Sequence, residues 1–216
     1  MAKNKIPSDV DIDRFARKKR ELIKRLSNRK PEQLADNTSS KFEPDQSGGG
    51  RFLLKLWETD ICLTYPDFIP SQINTGQLLS DMDRVMLLYY FDTADGTPIA
   101  GKWISFSELP DGNFYNQAFQ GYTGRQLSLV YGNNQDSFKK SARALNGHRF
   151  SLADSSYKFE ALPRVSLLVV FWLGDEDFPS SFQVLFDASA SHYLPTDAYA
   201  ILGSTITGRL IKAKKT

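Results

Sequence analysis

The sequence predicts an α+β domain with a mainly antiparallel sheet and helices segregated in the middle section and at both chain ends. Two stretches carry most of that expectation. Val165 to Leu173 is almost continuously apolar, the pattern of a central strand covered on both faces. Phe182, Val184 and Phe186 alternate along the stretch after it, across the acidic loop Gly174 to Pro179, as an antiparallel partner with a long hairpin tip would. The third observation is order: helical periodicities come before and after these strands rather than alternating with them, which separates the chain from a βαβ fold.

The totals set bounds. A chain of 216 residues that is 41% hydrophobic and 12% aromatic holds enough apolar material for one core. A net charge of +2 argues against nucleic-acid binding over a broad basic face. The single cysteine, Cys62, precludes an internal disulfide, and one thiol cannot hold an iron–sulfur cluster, so no intrinsic cluster is expected. Cys62 sits mid-strand and reads as a structural thiol. With two histidines and one cysteine, a zinc site could draw on at most three such ligands, so no metal site is expected. Met1 to Pro7 lacks the apolar stretch of a signal peptide, and Val165 to Leu173 is too short to span a bilayer. The expected location is the cytoplasm.

From the N-terminus, Asp9 to Lys30 reads as a helix with Ile12, Phe15, Leu22 and Leu26 on one face and Pro31 ending the pattern. Its other face is basic, from Arg14 to Lys30, and reads as a contact for a protein partner, nucleic acid or an anionic membrane, or as the solvated side of a helix whose narrow apolar stripe packs on the domain or a partner. Residues 36–50, rich in Ser, Asn, Asp and Gly, read as a flexible linker. The expected organisation is thus a basic arm over 1–35, a linker over 36–50 and one α+β domain over 51–216.

Within that domain, Arg51 to Trp57 and Asp60 to Thr64 predict a hairpin, and Leu78 to Phe91 predicts a helix with a broad apolar face. Ile99 to Phe106 is β-like, with Ser107 able to cap a short turn. Asn113 to Phe119 is ambiguous. Thr123 predicts the N-cap of a helix to about Tyr131, and Asn133 or Asp136 that of another to Leu145. Tyr157 to Leu162 alternates as a strand. Thr196 is expected to cap a closing helix to about Ile211, with Lys212, Lys214 and Lys215 at its negative end.

Four stretches together carry a resemblance: Gly101 to Pro110 (GKWISFSELP), Ala118 to Gly124 (AFQGYTG), Phe171 to Asp175 (FWLGD) and Phe186 to Thr196 (FDASASHYLPT). Over roughly residues 50–212 the chain resembles an uncharacterised prokaryotic domain family found chiefly in anaerobic bacteria and archaea. Some relatives carry a cysteine-rich iron–sulfur segment before the shared domain, where this chain has its basic helix. The resemblance implies a ligand- or cofactor-binding module of anaerobic metabolism, with a corrinoid or another tetrapyrrole as the associated cofactor class.

The residues suggest where a site would form. Asp187-Ala188-Ser189-Ala190-Ser191-His192-Tyr193 lies where a buried strand hands over to a capped helix, a place rich in free backbone donors. His192 could act as base, Asp187 could orient it and Ser189 could be a nucleophile, giving a hydrolase or transferase; the alternative is that Asp187 and the serines satisfy the turn. Trp103, Glu108 and Tyr122 are expected as walls of a ligand site with Asp187, Ser189, Ser191 and His192. Gly121 to Gly124 before a helix reads as a phosphate cradle or as a turn. Asp175-Glu176-Asp177 reads as a cation loop or as a solvated hairpin tip. His148 reads as a surface residue near a helix end.

Overall fold

The structure, a computed structural model, describes residues 9–215, with side chains from Ala16 onward. It has two antiparallel sheets with helices packed beside them, which is the α+β class.

The N-terminal helix α1 (Asp9–Leu26) is followed at once by α2 (Pro31–Thr38), so Pro31 opens a helix rather than only closing one. Proline suits a first helical turn because its missing N–H has no partner there anyway. The 36–50 stretch is not a linker in the structure. It holds the end of α2, strand β1 (Lys41–Pro44) and a hairpin turn into β2 (Gly50–Leu56). Asp45 builds that turn by accepting from the Ser47 and Gly49 N–H groups at 2.7 and 3.0 Å. Turn-forming composition had the look of flexibility because Asx turns and linkers use the same residues.

Strand β3 (Thr59–Tyr65) pairs with β2 from Gly50↔Tyr65 to Leu56↔Thr59, and β4 (Pro70–Gln72) adds to its far edge. The order β1-β2-β3-β4 makes the first sheet. Helix α3 (Asp81–Thr93), capped by Ser80 through the Asp83 N–H, lays Phe91 against Phe52 with centroids 4.7 Å apart. Helix α1 packs on α3 through the buried Leu22 and Leu26. Around that seam Lys19 pairs with Asp81 at 2.7 Å, and Arg25 grips Asp92 with two nitrogens. Tyr65 donates to the carbonyls of Ser27 and Arg29, both at 3.0 Å. Helix α3 and strand β3 thus hold the basic segment to the domain, so the described part of residues 1–35 is docked rather than a free arm.

The second sheet has the order β5-β9-β8-β7-β6. Its strands are β5 (Trp103–Ser105), β6 (His148–Phe150), β7 (Ser155–Leu162), β8 (Val165–Trp172) and β9 (Ser181–Asp187). As the sequence leads one to expect, β8 is central and forms an antiparallel hairpin with β9. The sheets are joined where the Trp57 N–H donates to the Ala161 carbonyl at 2.8 Å.

Helices α4 (Gly112–Tyr122), α5 (Gly124–Tyr131), α6 (Gln135–Ala144) and α7 (Thr196–Lys214) cover one face of this sheet. Phe119 meets Phe186, Phe138 meets Phe171 and Phe182, and Tyr131 meets Phe182 in one aromatic layer. The other face carries Trp103, Leu168, Val170, Leu185 and Phe150, as the strand registers dictate. Trp103 and Phe150 lie on opposite edge strands, yet their ring centroids are 5.7 Å apart. The sheet therefore curls, and Leu168 and Val170 on the same face are fully buried. Among the described residues no helix is long and apolar enough to cross a membrane.

Candidate functional site

The segment after β9 and the loop between α3 and β5 are laced together by three separate devices. Asp187 is 4% exposed, and its carboxylate accepts from the N–H groups of Ala100 and Gly101 at 2.9 and 2.8 Å. It also accepts from the Ser189 N–H at 2.9 Å and the Ser189 hydroxyl at 2.6 Å. Four donors satisfy a buried carboxylate without a counter-ion. Tyr193, itself buried, donates to the Thr97 carbonyl. His192 places Nδ1 2.7 Å from Asp95 Oδ2 and 3.1 Å from the Thr97 hydroxyl.

That arrangement corrects the relay suggested by the sequence. Asp187 does not orient His192; Asp95 does, from a loop 97 residues earlier in the chain. Ser189 spends its hydroxyl proton on Asp187. Asp187, His192 and Tyr193 act as a clasp on the 94–102 loop. Asp95 is held down to about 2 by the bond with His192 first, then by the Thr97 N–H and hydroxyl.

Glu108 also turns inward on its own segment. Phe106–Glu108 forms one 3-10 turn, and Ser105 rather than Ser107 caps it in a box with Glu108. The Ser105 N–H donates to Glu108 Oε2 at 2.7 Å, and that bond leads the lowering of the Glu108 carboxyl. Trp103 stands on the curled outer face with Phe150, paired in register with Asp187. Thr123 does not cap α5: its hydroxyl donates to the Phe119 carbonyl at 2.6 Å. Gly124 is required by packing, since a Cβ there would stand 2.3 Å from the Phe182 carbonyl oxygen. The Gly121–Gly124 stretch is thus where α5 seats against β9. Asp175 folds the tip of the β8–β9 hairpin by accepting from the N–H groups of Asp177 and Phe178. His148 lies exposed on edge strand β6, which the sequence reading missed. Among the described residues no three His, Cys, Asp or Glu side chains gather to hold a metal ion.

Two of the expected wall residues do meet. Tyr122 and Ser191 line a cleft of about 730 Å³ between α4 and the start of α7. Tyr115, Ala118 and Tyr122 form its α4 wall, at spacings of three and four residues on one helical face. Leu194, Pro195 and Ala200 line it from the α7 side, with Phe106, Pro110 and Thr93, the last residue of α3, completing the lining. The Thr196 hydroxyl donates to the Pro110 carbonyl at 2.6 Å and ties α7 to the turn before α4, the role it has in place of an N-cap. At α4's other edge, Phe119 stacks on Phe106 at 4.1 Å in the core. The helix is therefore apolar on more of its circumference than the core uses, and the surplus lines the cleft.

The polar groups of the cleft are few. Two are carboxylates, Asp111 and Asp197, and among the described residues no Lys, Arg or His lines it. Asp111 sits at φ 57° ahead of α4 and gives that helix no capping bond. Asp197 accepts from the Ala198 N–H at 2.9 Å, which uses one oxygen. Burial raises the Tyr122 phenol, so it stays a neutral donor. Tyr89 is raised by burial first and then by the charges of Asp197 and Asp92. A tetrapyrrole does not fit this lining. Among the described residues the ring carboxylates of a haem-like group would find no cation and two like charges, and no histidine, cysteine or methionine lines the cleft to meet the central metal of a haem or a corrinoid.

A family model described as a domain of unknown function, DUF3786, matches residues 30–209. The match takes in both sheets, the clasp and the cleft, and begins just before α2. No curated protein and no solved structure matches the chain.

Proposed function

We infer that this chain, which belongs to the DUF3786 family, is a non-catalytic module that binds a small, largely apolar molecule in the cleft between α4 and α7. The observation that carries this reading is the wall Tyr115, Ala118 and Tyr122 facing Leu194, Pro195 and Ala200 around about 730 Å³. A volume of this size suits a drug-sized molecule, and an apolar lining with a few convergent polar groups is the usual character of such sites. The clasp supports the same reading from the other side. It fixes the segment carrying Ser191 and Leu194 before any ligand arrives, so little ordering cost falls on binding.

The reading places the module in the cytoplasm, as expected from the sequence. Its link to anaerobic metabolism rests on the resemblance alone. The test is mass spectrometry of the chain purified without oxygen from cells that make it. The expected result is a bound small molecule that is lost in Ala118→Trp, whose indole would fill the cleft from an exposed position. A bound molecule retained unchanged in that variant would place its site elsewhere and overturn the assignment.

A further inference from the structure

We propose that the ligand of this cleft is an organic cation: an ammonium or related group on an apolar, preferably aromatic-contacting body. The inference rests on the cleft reading above and adds the charge of the occupant. It starts from the charge balance of the lining. Asp111 and Asp197 contribute two full negative charges, and among the described residues no basic side chain lines the cleft with them. Asp111 takes no capping bond from α4, so its carboxylate is not consumed by the fold. Asp197 keeps one oxygen beyond the bond from Ala198.

The helix ends do not reverse this balance. The N-terminal ends of α7 and of α4, at Asp111, each bring a positive partial charge of about half a unit, and the C-terminal ends of α3, at Thr93, and of α4, at Tyr122, each bring a negative one of similar size. They offset each other and leave the carboxylates to set the sign. The neighbouring acid Asp92 is already engaged by Arg25, so that cation is spent outside the cleft. The walls suit the same guest. Tyr115 and Tyr122 line the cleft, and aromatic rings attract a cation as well as an apolar surface. An anionic guest would meet repulsion with no compensating donor beyond hydroxyls and the first α7 amides. A neutral apolar guest would leave the carboxylates partly desolvated and unpaired, which costs binding free energy.

The experiment compares three probes of one shape: 4-phenylbutylammonium, 4-phenylbutanol and 4-phenylbutanoate, titrated into the full chain at low salt and followed by amide chemical shifts. The proposal expects the ammonium to bind about tenfold more tightly than the alcohol, with the carboxylate weakest. It expects that advantage to shrink at high salt and to vanish in Asp111→Asn/Asp197→Asn. Asparagine at 197 keeps an oxygen for the Ala198 N–H, so the helix start survives the test. Equal binding of all three probes, lost in Ala118→Trp, would overturn the charge assignment while leaving the cleft reading intact. Tightest binding of the carboxylate would overturn it in favour of the α7 amides. No probe binding to the cleft at all would overturn both.

Discussion

His192 holds its Nδ1 2.7 Å from Asp95 Oδ2, and this pair joins the end of β9 to the loop that leaves α3. The bond keeps the Asp95 carboxyl down at about 2, against an ordinary 3.8. A carboxyl lowered by folding contributes stability that is fully present above its unfolded value and is lost as pH falls through the folded one. The contribution of this pair is therefore lost between about pH 4 and about pH 2. In Asp95→Asn, acid unfolding followed by circular dichroism should show a shallower loss of stability across that window than the parent. Both side chains are about half exposed, so the effect is a change of slope rather than a collapse.

Asp187 is the deeper half of the clasp. Asp187→Ala removes the acceptor for three backbone N–H groups and one hydroxyl. The expected cost is about 3 kcal/mol, seen as a Tm lower by about 10 °C. Asp187→Asn, which keeps one oxygen acceptor, should lose less. A catalytic Asp187 would instead leave the melting temperature nearly unchanged on substitution.

Leu26 separates a docked helix from a free arm. It is fully buried at the α1–α3 seam. Leu26→Ala should destabilise the whole domain by about 3 kcal/mol in denaturant unfolding. An arm that only visits the domain would give no such loss.

The fold was largely legible because its strongest signals are periodic and local. Val165 to Leu173 carries the pattern of a covered strand, the apolar face of α3 repeats at helical spacing, and the terminal lysines marked the end of α7. What escaped depends on tertiary choice. Strand β6 is three exposed residues that make sense only beside β7. Residues 36–50 carry turn chemistry that a hairpin and a linker share. Of the candidate site, Tyr122 and Ser191 were named from the sequence because they sit in the resembling motifs at element ends, and both line the cleft. Asp95 was missed because nothing in the sequence says which carboxylate meets His192 from 97 residues away. Tyr115 and Ala118 left a signal that was passed over: with Tyr122 they form a second apolar stripe on α4, beside the stripe that buries Phe119. Asp197 reads as an ordinary acid in a first helical turn, and only the packing of α4 against α7 turns it toward a shared cleft.

The most direct test of the cleft as a binding site is a map of amide shifts on the full chain during titration with 4-phenylbutylammonium. The account predicts saturable shifts centred on residues 111–122 and 191–200, absent in Ala118→Trp. Shifts centred instead on the curled face around Trp103 and Phe150, or on α1, would contradict it.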